Sequence, residues 1–321
     1  MLLSVRDLRS SFFLDEGELQ AVDGVSFELD KGETVGLVGE SGCGKTIVAL
    51  SILDLIPPPG RVVAGEIQFE GQDVLRMPPP ELRRLRGAGI GLVFQEPAAA
   101  LNPVYTIGRQ LSEVLRLHRG LDRQQARRET VRLLGEMGIP EPEKRASSHP
   151  FELSGGMKQR ALIAIAVAGR PKLLIADEPT TALDLTVQAE ILELLAHLQE
   201  QHQMAILMIS HDLDMVAEMA DRVLVMYTGR IVEEAPTADL MTAPKHPYTE
   251  GLLAAIPQLG TGTEAPLVGI PGAVPNLLDL PGGCSFHPRC RLADAECERE
   301  IPGMSSVGSR WRCACFKTGA A

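Results

Sequence analysis

The segment Gly39-Glu40-Ser41-Gly42-Cys43-Gly44-Lys45-Thr46 constrains this chain's fold more than any other. It fits the phosphate-binding pattern G-x-x-x-x-G-K-[ST]. Glycines at these positions let backbone N–H groups wrap an anion without steric penalty. The N-terminus of the helix beyond adds a positive field. In such a loop Lys45 reaches the outer phosphates and the Thr46 hydroxyl ligates Mg²⁺. Cys43 occupies a variable position and reads as a small filler, not a nucleophile. The pattern works only between a strand and a helix. The apolar run Thr34 to Val38 precedes it, and a helical pattern from Lys45 to Leu55 follows, ended by Pro57-Pro58-Pro59-Gly60.

The rest of the chain reads as α/β around that turn. Leu2 to Leu8 and Ala21 to Leu29 are strand-like, as are Ile67-Gln68-Phe69 and Gly91 to Phe94. From about Glu96 to Gly155 the pattern becomes helical. Gly108 to His118 and Arg123 to Met137 repeat apolar residues at three- and four-residue steps. Gly138 and Pro140 supply a stop. Leu173 to Ala176 and Ala205 to Ile209 are short, wholly apolar runs that suit central strands of a parallel sheet buried on both faces. Thr228-Gly229 between Arg222 to Tyr227 and Arg230 to Glu233 is a hairpin signal. From about Gly260 the chain turns rich in Gly and Pro, then in Cys, and reads as a small separate appendage.

Two further stretches carry chemistry. Leu173 to Ala176 ends in Asp177-Glu178. Adjacent acids at a strand end divide labour: Asp177 holds the Mg²⁺ shell and Glu178 polarises an attacking water. An isolated acid pair is usually just solvated; beside a phosphate loop it gains a role. Leu153-Ser154-Gly155-Gly156-Met157-Lys158-Gln159-Arg160 opens a second helix on Ser and two Gly. A simple N-cap would look similar. One nucleotide site needs only one such terminus, so a second implies a nucleotide held by another subunit.

On these residues the chain resembles the ATP-binding subunit of ABC transporters, whose signature reads L-S-G-G-x-x-Q-R. The resemblance covers about residues 2 to 255 and implies a P-loop NTPase of the ABC ATPase fold, with an antiparallel β portion, a helical subdomain over 96–155 and the Cys-rich C-terminal appendage. The expected division is an ATPase domain over 1–259 and the appendage over 260–321. Phe12 fits the aromatic that stacks on adenine, with Phe13 beside it as the alternative. Gln95 resembles the glutamine that senses Mg²⁺ and the attacking water. Ala182-Leu183-Asp184 resembles the loop that contacts the partner subunit, and His211 the histidine that touches the γ-phosphate. The resemblance implies a head-to-tail dimer with an identical or different ATPase subunit. Each ATP then lies between the phosphate loop of one chain and Ser154, Gly155 and Gly156 of the other. It also implies two membrane permease subunits and, indirectly, an extracytoplasmic solute-binding protein.

Composition agrees with an ordinary folded chain. Of 321 residues, 45% are hydrophobic and 23% charged, with a net charge of -11. That acidity speaks against a nucleic-acid binder, which needs clustered Lys and Arg. A DNA- or ribosome-directed ABC ATPase is therefore disfavoured; a sensor that only binds ATP is disfavoured by the complete hydrolytic set, with Glu178 and His211 both present. The longest apolar stretch, Ala161 to Ala168, falls short of the ~20 residues of a spanning helix. No secretory leader is read at the N-terminus, so the expected place is peripheral, on the cytoplasmic face of the inner membrane.

The tail narrows the branch. His246-Pro247-Tyr248-Thr249, Leu252-Leu253 and Ile256-Pro257 resemble the oligopeptide/dipeptide permease ATPases, with importers of nickel and other solutes as relatives. Cys284, Cys290 and Cys297 follow C-x5-C-x6-C, and Cys313 and Cys315 come later. Four soft thiolates suit Zn²⁺ or an iron–sulfur cluster. Free thiols without metal are the plain alternative. The resemblance implies a 4Fe–4S cluster on Cys284, Cys290, Cys297 and Cys315, with Cys313 competing for the fourth place and His287 a lesser candidate.

Overall fold

The computed structural model describes residues 1–181, 183–256 and 269–318. Strands β1 (Leu3–Leu14) and β2 (Gly17–Leu29) form a long antiparallel pair, and β3 (Thr34–Val38) leads through the glycine loop into α1 (Lys45–Ile52). Then come β4 (Gly60–Phe69), β5 (Gln72–Asp73), α2 (Pro79–Ala88) and β6 (Ile90–Val93). The helical region holds α3 (Pro97–Ala100), α4 (Ile107–Arg119), α5 (Arg123–Glu136) and α6 (Pro142–Ala146). The α/β alternation resumes with α7 (Gly155–Val167), β7 (Leu173–Asp177), α8 (Leu185–His202), β8 (Ala205–Ser210), α9 (Leu213–Ala217), β9 (Arg222–Tyr227) and β10 (Arg230–Pro236). The chain ends in α10 (Thr237–Thr242), α11 (Pro247–Ala254), α12 (Ala295–Arg299), β11 (Ser305–Gly308) and β12 (Trp311–Cys313).

Two sheets carry the molecule. One is antiparallel, in the order β2-β1-β4-β5; the other runs β11-β12-β10-β9-β3-β8-β7-β6. Its central strands β9, β3, β8, β7 and β6 are parallel. Every residue of β3, β7 and β8 is buried, as expected of strands covered on both faces. Two apolar clusters result. One joins the sheet to the helical region, α7 and α8; the other joins it to α1 and the antiparallel sheet.

Local signals landed where the residues put them. Thr228 and Gly229 both take positive φ, 43° and 84°, as a two-residue hairpin requires. Gly138, at φ 72°, follows the end of α5. Strand β1, by contrast, runs six residues beyond the Leu8 expected from its apolar pattern. Register shifts around Leu8 and after Ser10 break the alternation, so the polar Ser10 and Ser11 face inward. Ser10 is satisfied there by the Ser51 hydroxyl at 2.8 Å.

The expected separate appendage is not what the tail forms. Strand β12 pairs antiparallel with β10, placing Cys313 opposite Glu233, and β11 adds the edge strand. Phe286 is 3% exposed and belongs to the main core, packed on Tyr227 and Tyr248. These two short strands, in a charged and cysteine-rich stretch without an apolar run, extend the main sheet. The expected boundary at 259/260 and Pro257 lie outside the described residues.

Candidate nucleotide site

The site gathers at the C-terminal ends of β3, β7 and β8, which run parallel and deliver their following loops to one edge. The phosphate loop is fixed by close backbone packing. A Cβ on Gly44, at φ 104°, would lie 2.2 Å from the Ala21 carbonyl oxygen, and one on Gly39 2.2 Å from that of Met226. Only glycine fits at either position. Cys43 is fully buried, the filler expected. Lys45 is 5% exposed, and its Nζ donates to the carbonyls of Gly39 and Glu40 at 2.7 and 3.0 Å. Ser41, Gly42 and Thr46 are exposed along the loop.

Strand β7 ends in the two acids. Asp177 is 4% exposed and its Oδ1 has no hydrogen-bond partner. Burial pushes its carboxyl up to about 6, with the Glu178 charge adding; the Thr46 hydroxyl and the Lys45 charge pull the other way. Glu178 sits at φ 46°, a left-handed conformation for a non-glycine residue. Its backbone N–H donates to the Ile209 carbonyl at 2.8 Å, tying the end of β7 to β8. Its carboxylate is a hub. Gln95 Nε2 and Thr181 Oγ1 each donate to Oε2 at 2.8 Å, and His211 Nδ1 stands 3.2 Å from Oε1. Gln95, Glu178 and His211, far apart in the chain, thus share one polar cluster. Thr181 was not anticipated, because a Thr in a Pro-Thr-Thr turn carries no local sign of its partner.

The second helix terminus lies elsewhere. Ser154 caps α7 by accepting from the Met157 N–H at 3.3 Å, and Ser154 and Gly155 are exposed. Among the described residues no hydrogen bond joins residues 154–156 to residues 39–46. Gly155 and Gly156 instead pack towards Leu183 and Val187, on either side of Asp184. Asp184 caps α8, accepting from the Val187 N–H at 3.0 Å. Ala182 lies outside the described residues. Phe12 lies over Gly60, its partner across the β1–β4 pair, while Phe13 is the exposed ring, 39% accessible, with the Arg61 guanidinium 4.4 Å above it.

The metal expectation for the tail fares less well. Cys284, Cys290, Cys297 and Cys315 line one narrow void together with His287. Burial pushes the thiols of Cys284, Cys290 and Cys315 up, and neighbouring thiols add to it. Cys313 stands apart on β12, its thiol raised by burial and by the Glu233 charge. Yet among the described residues no group of three or more His, Cys, Asp or Glu side chains is arranged to hold a metal ion. The six cysteines are free. The donor chemistry suits a soft metal; the spacing does not close on one.

Comparison with known proteins agrees with this geometry. The ABC transporter family matches residues 22–181, and the oligopeptide/dipeptide transporter C-terminal region matches 232–297. The dipeptide transport ATP-binding protein DppD of Escherichia coli K12 is 45% identical over 314 residues, 98% of this chain and 96% of its own. A putative peptide import ATP-binding protein of Brucella abortus is 48% identical over 309 residues, 96% and 93% of the two chains. Among solved structures, the ATP-binding cassette MJ0796, a dimer in a post-hydrolysis state with ADP and Pi, superposes with a TM-score of 0.67 at 26% identity, covering 74% of this chain and 99% of that one. With the phosphate loop, the Asp177-Glu178 strand end and the Ser154 helix terminus in one fold, the chain belongs to the ABC transporter family of ATP-binding proteins.

Proposed function

We propose that this chain is the ATP-hydrolysing subunit of an ABC importer that takes up dipeptides or oligopeptides. The observation that carries the ATPase part is the Glu178 cluster, with Gln95, Thr181 and His211 around one carboxylate beside the phosphate loop. The matched C-terminal region and the names of the near full-length relatives support the peptide part.

In this reading Gly39 to Thr46 hold the phosphates, and Lys45 carries its charge to the outer ones, stabilising the transition state. Asp177 and Thr46, with Gln95 nearby, hold Mg²⁺, which neutralises phosphate charge when bound. The partnerless Asp177 Oδ1 fits that use. Glu178 and His211 orient the attacking water. Phe12, or the more exposed Phe13, stacks on the base. Ser154, Gly155 and Gly156, which make no hydrogen bond to their own loop among the described residues, complete the site of a second ATPase subunit, and Asp184 lies at that contact. Three of the exposed apolar side chains fall beside these elements: Phe94 before Gln95, Phe151 before Ser154 and Leu185 after Asp184. Val104, 74% exposed in the helical region, faces the permease subunits. No helix among the described residues is long and apolar enough to cross a membrane. The chain works peripherally, through those subunits, and is coupled only indirectly, by way of them, to an extracytoplasmic solute-binding protein. The ATPase unit spans 1–259 and the C-terminal segment 260–321.

The test is reconstitution with the cognate permease subunits in vesicles. ATP-driven accumulation of labelled dipeptides supports the proposal; accumulation of nickel but no peptide would replace it. The same preparation, handled without oxygen, answers the cluster question by iron and sulfide content. About four of each, lost on Cys290→Ser, would place a 4Fe–4S group on the four thiols; zinc would make the tail a structural knot.

Asp177 sets a pH dependence. Its folded carboxyl titrates at about 6, above the ordinary 3.8, so the stability it contributes is lost as pH rises through that window. Mg²⁺ requires the carboxylate, so protons compete below about 6. The Mg²⁺ concentration for half-maximal hydrolysis is expected to be several-fold higher at acid pH than at neutral pH. Equal Mg²⁺ requirements would remove Asp177 from the metal shell.

A further inference from the structure

The C-terminal segment reaches across the fold to the phosphate loop. Arg289, in a 3-10 turn over His287–Arg289, is 249 residues from Glu40, yet Nη1 donates to Glu40 Oε2 at 2.7 Å and Nη2 to Oε1 at 3.0 Å. The fork is bidentate, the strongest geometry for a guanidinium–carboxylate pair. The Arg289 side chain is 4% exposed and its other partners are neutral: the Pro271 carbonyl at 2.9 Å and the Tyr227 hydroxyl at 3.4 Å. Tyr248, fully buried, accepts the Glu40 N–H at 2.8 Å through its hydroxyl. The Glu40 carbonyl in turn accepts from Lys45 Nζ. One loop residue is therefore held at its side chain and its N–H by the tail, while its carbonyl receives the loop lysine.

A carboxylate inside a phosphate-binding loop is electrostatically wrong for an anionic ligand unless it is neutralised. The Tyr227, Tyr248 and Phe286 rings pack on one another, with centroids 4.6 to 5.4 Å apart, and give the Arg289 turn a rigid seat. We propose that Arg289 is a positioning residue for ATP binding, acting through Glu40: it cancels the carboxylate's charge and fixes the loop backbone that Lys45 leans on. The C-terminal segment is then part of the nucleotide site's support. This inference rests on the ATPase reading above.

The experiment measures ATP affinity and steady-state hydrolysis of the full-length chain with Arg289→Gln, Glu40→Gln and both. Arg289→Gln leaves the Glu40 carboxylate unpaired and is expected to raise KM for ATP about tenfold with kcat within about threefold. Adding Glu40→Gln removes the offending charge and is expected to recover most of that loss. Arg289→Lys, which keeps the charge without the fork, should fall between. A loss that Glu40→Gln does not relieve would show a merely structural arginine and overturn the inference, as would a folded Arg289→Gln chain with unaltered KM. Failure of the unaltered chain to bind ATP would overturn the ATPase reading itself, and this inference with it.

Discussion

With Gln in place of Glu178, ATP hydrolysis is expected to fall by about 10²- to 10³-fold while ATP binding persists. The substitution is isosteric, so the backbone at φ 46° and the Glu178 N–H bond to Ile209 are kept. What changes is the hub. Gln95 and Thr181 both donate to Oε2, a place the amide oxygen can fill, but the amide NH₂ then faces His211 Nδ1 where the carboxylate presented Oε1. The group can no longer take up proton density from a water in the transition state. In the proposed site Lys45 and the loop glycines hold the phosphates, and Lys45 Nζ donates to the Gly39 and Glu40 carbonyls, not to Glu178, so affinity is expected to survive. Single-turnover hydrolysis beside equilibrium ATP binding separates the two effects. A rate within threefold of the unaltered chain would mean that another group activates the water. Thr181→Ala removes one donor and leaves the carboxylate, so its effect should be far smaller, within about tenfold in rate.

The residues that betrayed themselves in the sequence are those whose role is set by neighbours in the chain. The phosphate loop is legible because its glycines must satisfy a close backbone approach; Gly44 against the Ala21 carbonyl shows why. The hairpin at Thr228-Gly229 is legible because two left-handed residues are a local demand. Strand β7 is legible as an apolar run ending in acids. What stayed hidden depends on distant pairing. Nothing around Trp311 to Cys313 announces that β10, some eighty residues earlier, will accept it as a sheet neighbour. Its charged and cysteine-rich context pointed to a detached knot. The Arg289 pair with Glu40 is invisible for the same reason. So is the burial that lifts Asp177, since a strand-end acid looks solvent-exposed until the helices around it are placed.

The same long-range logic governs stability, and Arg222 is where it concentrates. Arg222→Ala is expected to lower the free energy of unfolding by about 3–5 kcal/mol. The side chain, 8% exposed at the start of β9, donates Nε to Glu33 at 2.7 Å, Nη1 to Glu234 at 2.6 Å and Nη2 to the Glu28 carbonyl of β2. One guanidinium thus ties the antiparallel sheet, the turn before β3 and strand β10. Glu33 and Glu234 are themselves only 11% and 12% exposed, so removing the arginine leaves two carboxylates in a poorly solvated place, Glu33 with only the 70% exposed Arg310 at 3.5 Å. Arg312 of β12 also reaches Glu234, but its side chain is 43% exposed and it can relieve only that one acid. The contrast makes the test sharp. Arg312→Ala should cost only about 0–1 kcal/mol, the ordinary value of an exposed pair. Urea unfolding of both variants measures the difference directly. Equal losses would mean that the number of ion pairs, and not the burial of Arg222, decides how the C-terminal strands are held to the ATPase core. A large loss at Arg222 alone would place the junction of the two sheets at this buried cation, and leave β12 held mainly by its backbone pairing with β10.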